Sequence, residues 1–391
     1  MITAYLKPTN FCNINCMHCY LPETVRTNKS KMTPEMLHRV MQFLKEMQLK
    51  KRHDGVFIIW HGGEPLILPV SYYEMAGEII DQYFSKEQLI EGIQTSLIPY
   101  RKEYAKIVKQ RWRGEIGSSI DFNSRFIKSS SEDYQKLWMK KVDLARSDDI
   151  LVIPGMVPNK KNCANAKEIY KWFIERDFWV WNIDRYTNIK GSLPEVPTNR
   201  EHAQFLINLF DETIRSIYAT GKAPFIKPIV AAIGGVLFEQ PGDRWGGTCQ
   251  GDFVVIDPDG KLNNCPDKIS FEESYGNINL GFQSFEKSPL RKKWIRIQQA
   301  GHRIEECFNC ENASWCKSGC PITNNACMID GIMDECSGYK SFIDHIRKFL
   351  KLDEDNEKIL ISYLNKEFIP KEMIYGLDKE KLNVSNFLVA N

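Results

Sequence analysis

TAYLKPTNFCNINCMHC, residues 3–19, is the stretch from which the rest of the chain is best read. Thr3–Lys7 is rich in β-branched, aromatic and aliphatic residues and predicts a strand, which Pro8 and Asn10 bring to an end. Cys12, Cys16 and Cys19 follow at once in the spacing C-x3-C-x2-C, so three thiols stand on the loop at the carboxyl end of that strand. Three thiolates leave a tetrahedral zinc ion with an open position, which His18 could close. A cubane [4Fe–4S] cluster normally takes four cysteines, so three leave one of its irons free for an outside ligand. Both readings stand on spacing alone.

Further candidate strands are Val56–Trp60, Ile90–Ser96, Glu115–Asp121, Leu151–Val157 and Val180–Tyr186. Between the strands, Pro34–Leu49, Ser71–Phe84, Tyr100–Trp112, Glu132–Arg146 and Asn165–Glu175 carry apolar residues at three- and four-residue spacing, as helices do. Six strands alternating with helices predict an α/β fold with a parallel sheet, open or partly closed into a barrel. Its function should lie at the carboxyl ends of the strands. A helix is expected from Thr198 to Ala219, then a linker over Gly221–Gly247, then a hairpin in VVIDPDGKL that turns at Pro258-Asp259-Gly260. After about residue 340 the pattern predicts two polar helices joined through DEDNEK.

A chain of 391 residues has room for two or three domains. Its 52 Lys and Arg against 50 Asp and Glu leave a net charge of +2, which gives no global field for capturing nucleic acid or anionic lipid. The longest uncharged apolar run, Ile229–Phe238, is far short of the roughly 20 residues a membrane span needs. The N-terminus shows no basic segment followed by an apolar one, so the cytoplasm is the expected location. Of the 12 cysteines, three sit in the first loop, while Cys249, Cys265, Cys307, Cys310, Cys316, Cys320, Cys327 and Cys336 crowd the last part, and Cys163 stands alone between. Clustered thiols without an export signal point to metal rather than to disulfides or core packing.

The first cluster resembles the radical S-adenosylmethionine (radical SAM) superfamily, whose hallmark is C-x3-C-x-aromatic-C after the first strand of a partial (β/α)6 barrel. His18 stands where that family usually has Tyr or Phe. The second predicted strand runs into His61-Gly62-Gly63-Glu64-Pro65, which resembles the family's GGEP motif. The resemblance implies that Cys12, Cys16 and Cys19 hold a [4Fe–4S] cluster and that Gly62, Gly63 and Glu64 serve SAM binding. The glycines would permit close backbone approach, and the carboxylate would meet the SAM ammonium. Gly117–Asp121, GSSID, resembles the segment that places a serine near the SAM ribose, which nominates Ser119. Arg125 is a candidate partner for the SAM carboxylate. Gln94, Thr95 and Ser96 stand where relatives often read QTNG.

The C-terminal cysteines read Cys249-x10-Gly260-x4-Cys265, Cys307-x2-Cys310-x5-Cys316-x3-Cys320 and then Cys336. This resembles the SPASM extension of radical SAM enzymes at all seven cysteines, which implies two auxiliary [4Fe–4S] clusters. By position in the pattern, Cys307, Cys310, Cys316 and Cys336 would hold the distal one, and Cys249, Cys265 and Cys320 the nearer one. Cys327 is either the fourth ligand of the nearer cluster or a spare thiol. The implied organisation is a barrel at 1–220, a linker at 221–246, a SPASM domain at 247–345 and a helical tail at 346–391.

What the resemblance implies is an enzyme that cleaves SAM to a 5′-deoxyadenosyl radical and abstracts hydrogen from a ribosomally made precursor peptide, forming an intramolecular cross-link. The alternative is an anaerobic sulfatase-maturing enzyme that makes formylglycine, although such relatives carry an extra cysteine soon after the first SPASM cysteine, and Gln250–Asp257 contains none. A third class, a non-catalytic iron–sulfur electron carrier or zinc module, leaves GGEP unexplained. A flavodoxin or ferredoxin is the expected electron donor. With the first strand at Thr3, a leader peptide is expected to need a separate binding protein or the tail after Ser341. Asp184 and Arg185, at the end of the sixth predicted strand, are candidate substrate contacts. Anaerobically prepared protein should carry about twelve irons in three clusters, and replacing Cys12, Cys16 and Cys19 together by Ala should remove about four of them. Zinc in place of iron, measured by elemental analysis after reconstitution, would exclude this reading.

Overall fold

The computed structural model describes residues 1–186, 195–247, 249, 251–263, 265, 274–300, 305–320, 328–329 and 332–371. The chain divides into two compact units: Met1–Ile153 with Cys249–Ile295, and Pro154–Thr248 with Arg296–Asn391.

The first unit is built on β1 (Ile2–Thr9), a short ribbon of β2 (Asn15–Cys16) with β6 (Arg125–Phe126), and β3 (Val56–Gly62), β4 (Leu89–Thr95) and β5 (Glu115–Ser119). β1, β3, β4 and β5 pair in parallel in that order. The expected strands are therefore all present, and nearly every residue of β1 is buried, as befits a parallel strand covered on both faces. Alternation in β3 buries Val56, Ile58 and Trp60. Over it the helix Pro34–Lys51 lays Leu37, Val40, Met41, Phe43, Leu44 and Met47 into the core, and Thr33 caps its start by accepting from the Met36 N–H at 3.2 Å. The helix Ser131–Ser147 buries Tyr134, Trp138, Val142 and Ala145.

β7 (Leu151–Met156) carries the chain out of the first unit. The second unit holds the end of β7, β8 (Val180–Ile183) and β9 (Phe225–Ile226), again parallel, with Met156 opposite Ile183 and Trp181 opposite Ile226. Its long helix Asn199–Thr220 opens with a reciprocal capping box between Thr198 and Glu201 and closes on Gly221, whose φ of 66° suits a residue without Cβ.

Two stretches differ from their sequence reading. The expected linker at 221–246 contains β9 and a buried helix, Lys227–Phe238. Pro228 sits in the helix's first turn, where its missing N–H costs nothing, and Gly235 admits the ring of Trp315. The hairpin of β10 (Phe253–Ile256) and β11 (Leu262–Asn263) forms as expected, but β10 also pairs in parallel with β1, from Thr3 opposite Phe253 to Leu6 opposite Ile256. The terminal helices Lys340–Leu352 and Asn356–Leu364 are amphipathic rather than polar, burying Phe342, Ile343, Ile346, Leu360, Tyr363 and Leu364. Tyr363 accepts from the Ile226 N–H and donates to the Pro224 carbonyl, both at 2.9 Å, which ties the second of these helices to β9. Among the described residues no helix is long and apolar enough to cross a membrane.

A Cβ at Gly235 would lie 2.5 Å from the Trp315 ring. Gly235→Val should therefore cost about 1–3 kcal/mol by overpacking, read as a lower midpoint in denaturant unfolding. Gly221→Asn, at a helix end with open space around it, should change the midpoint little.

Candidate active site

Pro8 has no N–H to give the ladder, and the register between β1 and β3 shifts between Leu6 and Thr9, so that Thr9 comes opposite Gly62. From there the two strand ends run against each other. Gly63 N–H donates to the Thr9 carbonyl at 3.0 Å, and Glu64 N–H to that of Phe11 at 2.9 Å. A Cβ at Gly62 would stand 2.4 Å from the Thr9 oxygen, and one at Gly63 only 2.3 Å from the oxygens of Asn10 and Phe11. The close approach that these glycines allow is thus to the backbone leading into the cysteine loop.

The loop itself is held at several points. Cys12 N–H donates to Arg26, Met17 N–H to Ser124, and the β2–β6 ribbon sets Cys16 opposite Arg125. Cys12, Cys16 and Cys19 lie near enough that each thiolate would repel the others. Burial, reinforced by Glu64, pushes Cys12 up to about 12, and burial pushes Cys16 up to about 11 against the pull of Arg125. Both are therefore neutral thiols, which would have to give up their protons to bind a metal. Among the described residues no three His, Cys, Asp or Glu side chains are gathered as for a single ion.

Beside the thiols stand two anchored charges. Glu64, 1% exposed, accepts from Thr95 Oγ1 at 2.5 Å, from Leu66 N–H at 2.9 Å and from Ser96 N–H at 2.7 Å. Burial raises its pKa against those hydrogen bonds. Arg125 holds the fully buried Asp121 through Nε at 2.8 Å and Nη2 at 2.7 Å. His18 Nε2 lies 3.5 Å from the same carboxylate, and the Arg125 guanidinium is 5.7 Å from the Tyr134 ring. Tyr134 donates to the Ser119 carbonyl at 2.7 Å, and Gln94 Nε2 to the Ser119 hydroxyl at 3.0 Å. The structure thus links His18 with Arg125 through Asp121, and Ser119 with Gln94 and Tyr134, and it binds Thr95 and Ser96 to Glu64.

Sequence reasoning missed Asp121 as the arginine's partner, although its place four residues before Arg125 was a signal. It also missed Lys7, which is 1% exposed and pairs with Asp257 on the loop after β10 at 3.1 Å. A lysine within a buried strand asks for such a partner. Lys7 also lies over the ring of Tyr20, whose hydroxyl donates to the Gly62 carbonyl at 3.2 Å. Burial, with Lys7 and Arg125 nearby, pushes His61 down to about 3, so it is neutral.

In the second unit Cys316 lies among Cys307, Cys310 and Cys336, the four thiols grouped together by their sequence pattern. Gly338 makes room for two of them, since its Cβ would fall 2.5 Å from Cys316 Sγ and 3.7 Å from Cys336 Sγ. Burial pushes both thiols up to about 12. Cys320 lies in this unit beside Tyr339, Cys249 and Cys265 belong to the first unit, and Cys327 lies outside the described residues. Cys163 is buried at the end of the short helix Lys160–Cys163. Asp184 and Arg185 follow β8, at its carboxyl end.

Residues 6–152 match the radical SAM superfamily. A serine-type anaerobic sulfatase-maturating enzyme of Bacteroides thetaiotaomicron is 23% identical over 88% of this chain and 89% of its own. The fold matches that of anSMEcpe with bound AdoMet at a TM-score of 0.76 and 17% identity, over 92% of this chain and 100% of that one. It also matches SuiB of Streptococcus suis bound to the precursor peptide SuiA at 0.56 and 15%, over 83% and 72%. A partial barrel with three thiols after its first strand and two glycines after its second defines a radical SAM enzyme. Residues 6–152 of this chain are thus a radical SAM domain, and over most of its length the chain is similar to the anaerobic sulfatase-maturating enzymes.

Gly63→Ala should displace the cysteine loop, because both obstructing oxygens belong to backbone. The expected result is a loss of about four irons per chain with the remaining visible absorption retained. Full iron content in that variant would show that the loop is independent of the glycine contact.

Proposed function

We propose that the enzyme binds S-adenosylmethionine at a [4Fe–4S] cluster held by Cys12, Cys16 and Cys19, and that it cross-links two positions of a ribosomally made precursor peptide. The observation that carries the choice of reaction is that residues 250–264 contain no cysteine, a departure from the sulfatase-maturing pattern. Together the two groups supply hydrogen-atom abstraction, a chemistry that side chains alone do not perform. The chain's own part is to hold and shield. Asp121 keeps the Arg125 guanidinium aimed, and Thr95, Ser96 and Leu66 fix Glu64, so a ligand with both an ammonium and a carboxylate meets groups that need no rearrangement. Gly62, Gly63 and His18 complete this binding region, with Ser119 for a ribose hydroxyl. The near-complete burial of Glu64, Ser118 and Asp121 limits water, which would otherwise compete for reactive species.

Cys307, Cys310, Cys316 and Cys336 are assigned to an auxiliary cluster, which suits a reaction that must dispose of an electron after hydrogen abstraction. A flavodoxin or ferredoxin would supply the first electron, and a separate protein could present the leader of the peptide. A second reading, formylglycine formation in a sulfatase, is favoured by the near full-length match to the Bacteroides enzyme.

A short precursor peptide encoded beside this enzyme, incubated with it, SAM and dithionite, should lose about two mass units per cross-link, because joining two positions removes two hydrogens. Tandem mass spectrometry should show no cleavage between the joined residues. If a sulfatase-derived peptide instead gains formylglycine while the short peptide is unchanged, the second reading replaces the first.

A further inference from the structure

Two arginines of the second unit are buried around one tyrosine, and they are treated differently by their surroundings. Arg244 is fully engaged. Its Nε donates to Asp243 at 2.8 Å, Nη2 to the Ile183 carbonyl at 2.8 Å, and Nη1 lies 3.2 Å from His202 Nε2. Arg185, 8% exposed, uses a single nitrogen. Its Nη2 donates to the Pro197 carbonyl at 3.1 Å and to Asn199 Oδ1 at 2.7 Å, whereas Nε and Nη1 are buried with no acceptor among the described residues. Both acceptors are neutral, so among the described residues Arg185 is a buried cation without a carboxylate partner. Buried charges are normally paired, and an unpaired guanidinium is costly to keep unless something else arrives to meet it.

A second orphan stands nearby. Burial and the two arginines hold His202 neutral. Because Arg244 donates to its Nε2, the imidazole hydrogen sits on Nδ1, which is buried and has no acceptor among the described residues. The Tyr339 ring gathers these groups: the Arg185 and Arg244 guanidinium carbons are 5.9 and 5.7 Å from its centroid and the His202 ring 5.3 Å. The unmet atoms of Arg185 and His202 are donors, which is the complement of an anion, and the Tyr339 hydroxyl beside them, also unmet, can donate or accept. Arg185 directly follows β8, next to the exposed Asp184.

We propose that Arg185 is a carboxylate-binding residue of the second unit, and that the enzyme selects peptides carrying an acidic group, with His202 as a supporting donor. The choice of a peptide as the bearer of the carboxylate rests on the reading under Proposed function; the carboxylate seat itself does not. Planar guanidinium recognises a carboxylate more strongly and with more directional preference than it does an amide.

The test is anaerobic isothermal titration calorimetry of the cluster-loaded enzyme with three probes: N-acetyl-L-glutamate methylamide, the corresponding glutamine methylamide, and N-acetyl-L-alanine. Wild-type enzyme should bind one of the acids at least about tenfold more tightly than the glutamine amide. The glutamate probe answers for a side-chain carboxylate and the alanine probe for a chain terminus. Arg185→Gln should abolish the difference between acid and amide, and Arg185→Lys should retain only part of it. Equal binding of acid and amide by the wild type overturns the proposal, and that measurement needs no variant to fold. Acid binding unchanged in Arg185→Gln also overturns it. So does an absence of acid binding together with an altered cluster reduction potential in that variant, which would assign the guanidinium to an iron–sulfur cluster. Acid binding without turnover of any precursor peptide supports the seat and counts against the peptide reading alone.

Discussion

Everything in the first unit depends on one backbone contact, the passage of Gly62 and Gly63 against residues 9–11. Side chains at these two positions would hold the strand ends apart, and the hydrogen bonds from Gly63 to Thr9 and from Glu64 to Phe11 could not form. Those bonds set where the cysteine loop begins and turn Glu64 inward, toward Thr95 and Ser96 at the end of the next strand. Two strand ends are thereby brought into register by main chain, and the Glu64 carboxylate ties the third to them. The shift at Pro8 belongs to the same arrangement, since it brings Thr9 opposite Gly62.

Around that frame several buried charges come in local pairs: Lys7 with Asp257, Arg125 with Asp121 and, in the second unit, Arg244 with Asp243. Such pairs contribute little net stability, because desolvation offsets most of their attraction. Their value is positional. A guanidinium gripped by a neighbouring carboxylate keeps one orientation whether or not a ligand is present, and the energy of ordering it is spent in folding rather than in binding.

How much of this was legible in the sequence follows from how local each feature is. The strands of the barrel were read within a few residues because β-branched and aromatic runs alternate with amphipathic helices, and the cysteine loop was read because spacing is itself a local property. Asp121 and Lys7 were not, since a partner's identity depends on side chains that only the fold brings together. The helix Lys227–Phe238 was mistaken for linker because Pro228, Gly234 and Gly235 are turn signals when taken singly. Only the Trp315 ring seated against Gly235 explains a glycine inside that helix. The hairpin at β10 was visible through its Pro-Asp-Gly turn, but its parallel partner lies at the other end of the sequence, where no local pattern points to it.

That long-range pairing also fixes an order of events during translation. β1 is made long before β10, and β3 covers one of its edges early, yet the other edge exposes unpaired amide and carbonyl groups until the chain has been made as far as Ile256. For most of its synthesis, then, the nascent polypeptide holds the cysteine loop on a sheet that is open along one side. The loop is thus complete while the first unit is not, and arrival of β10 is what seals the sheet behind it.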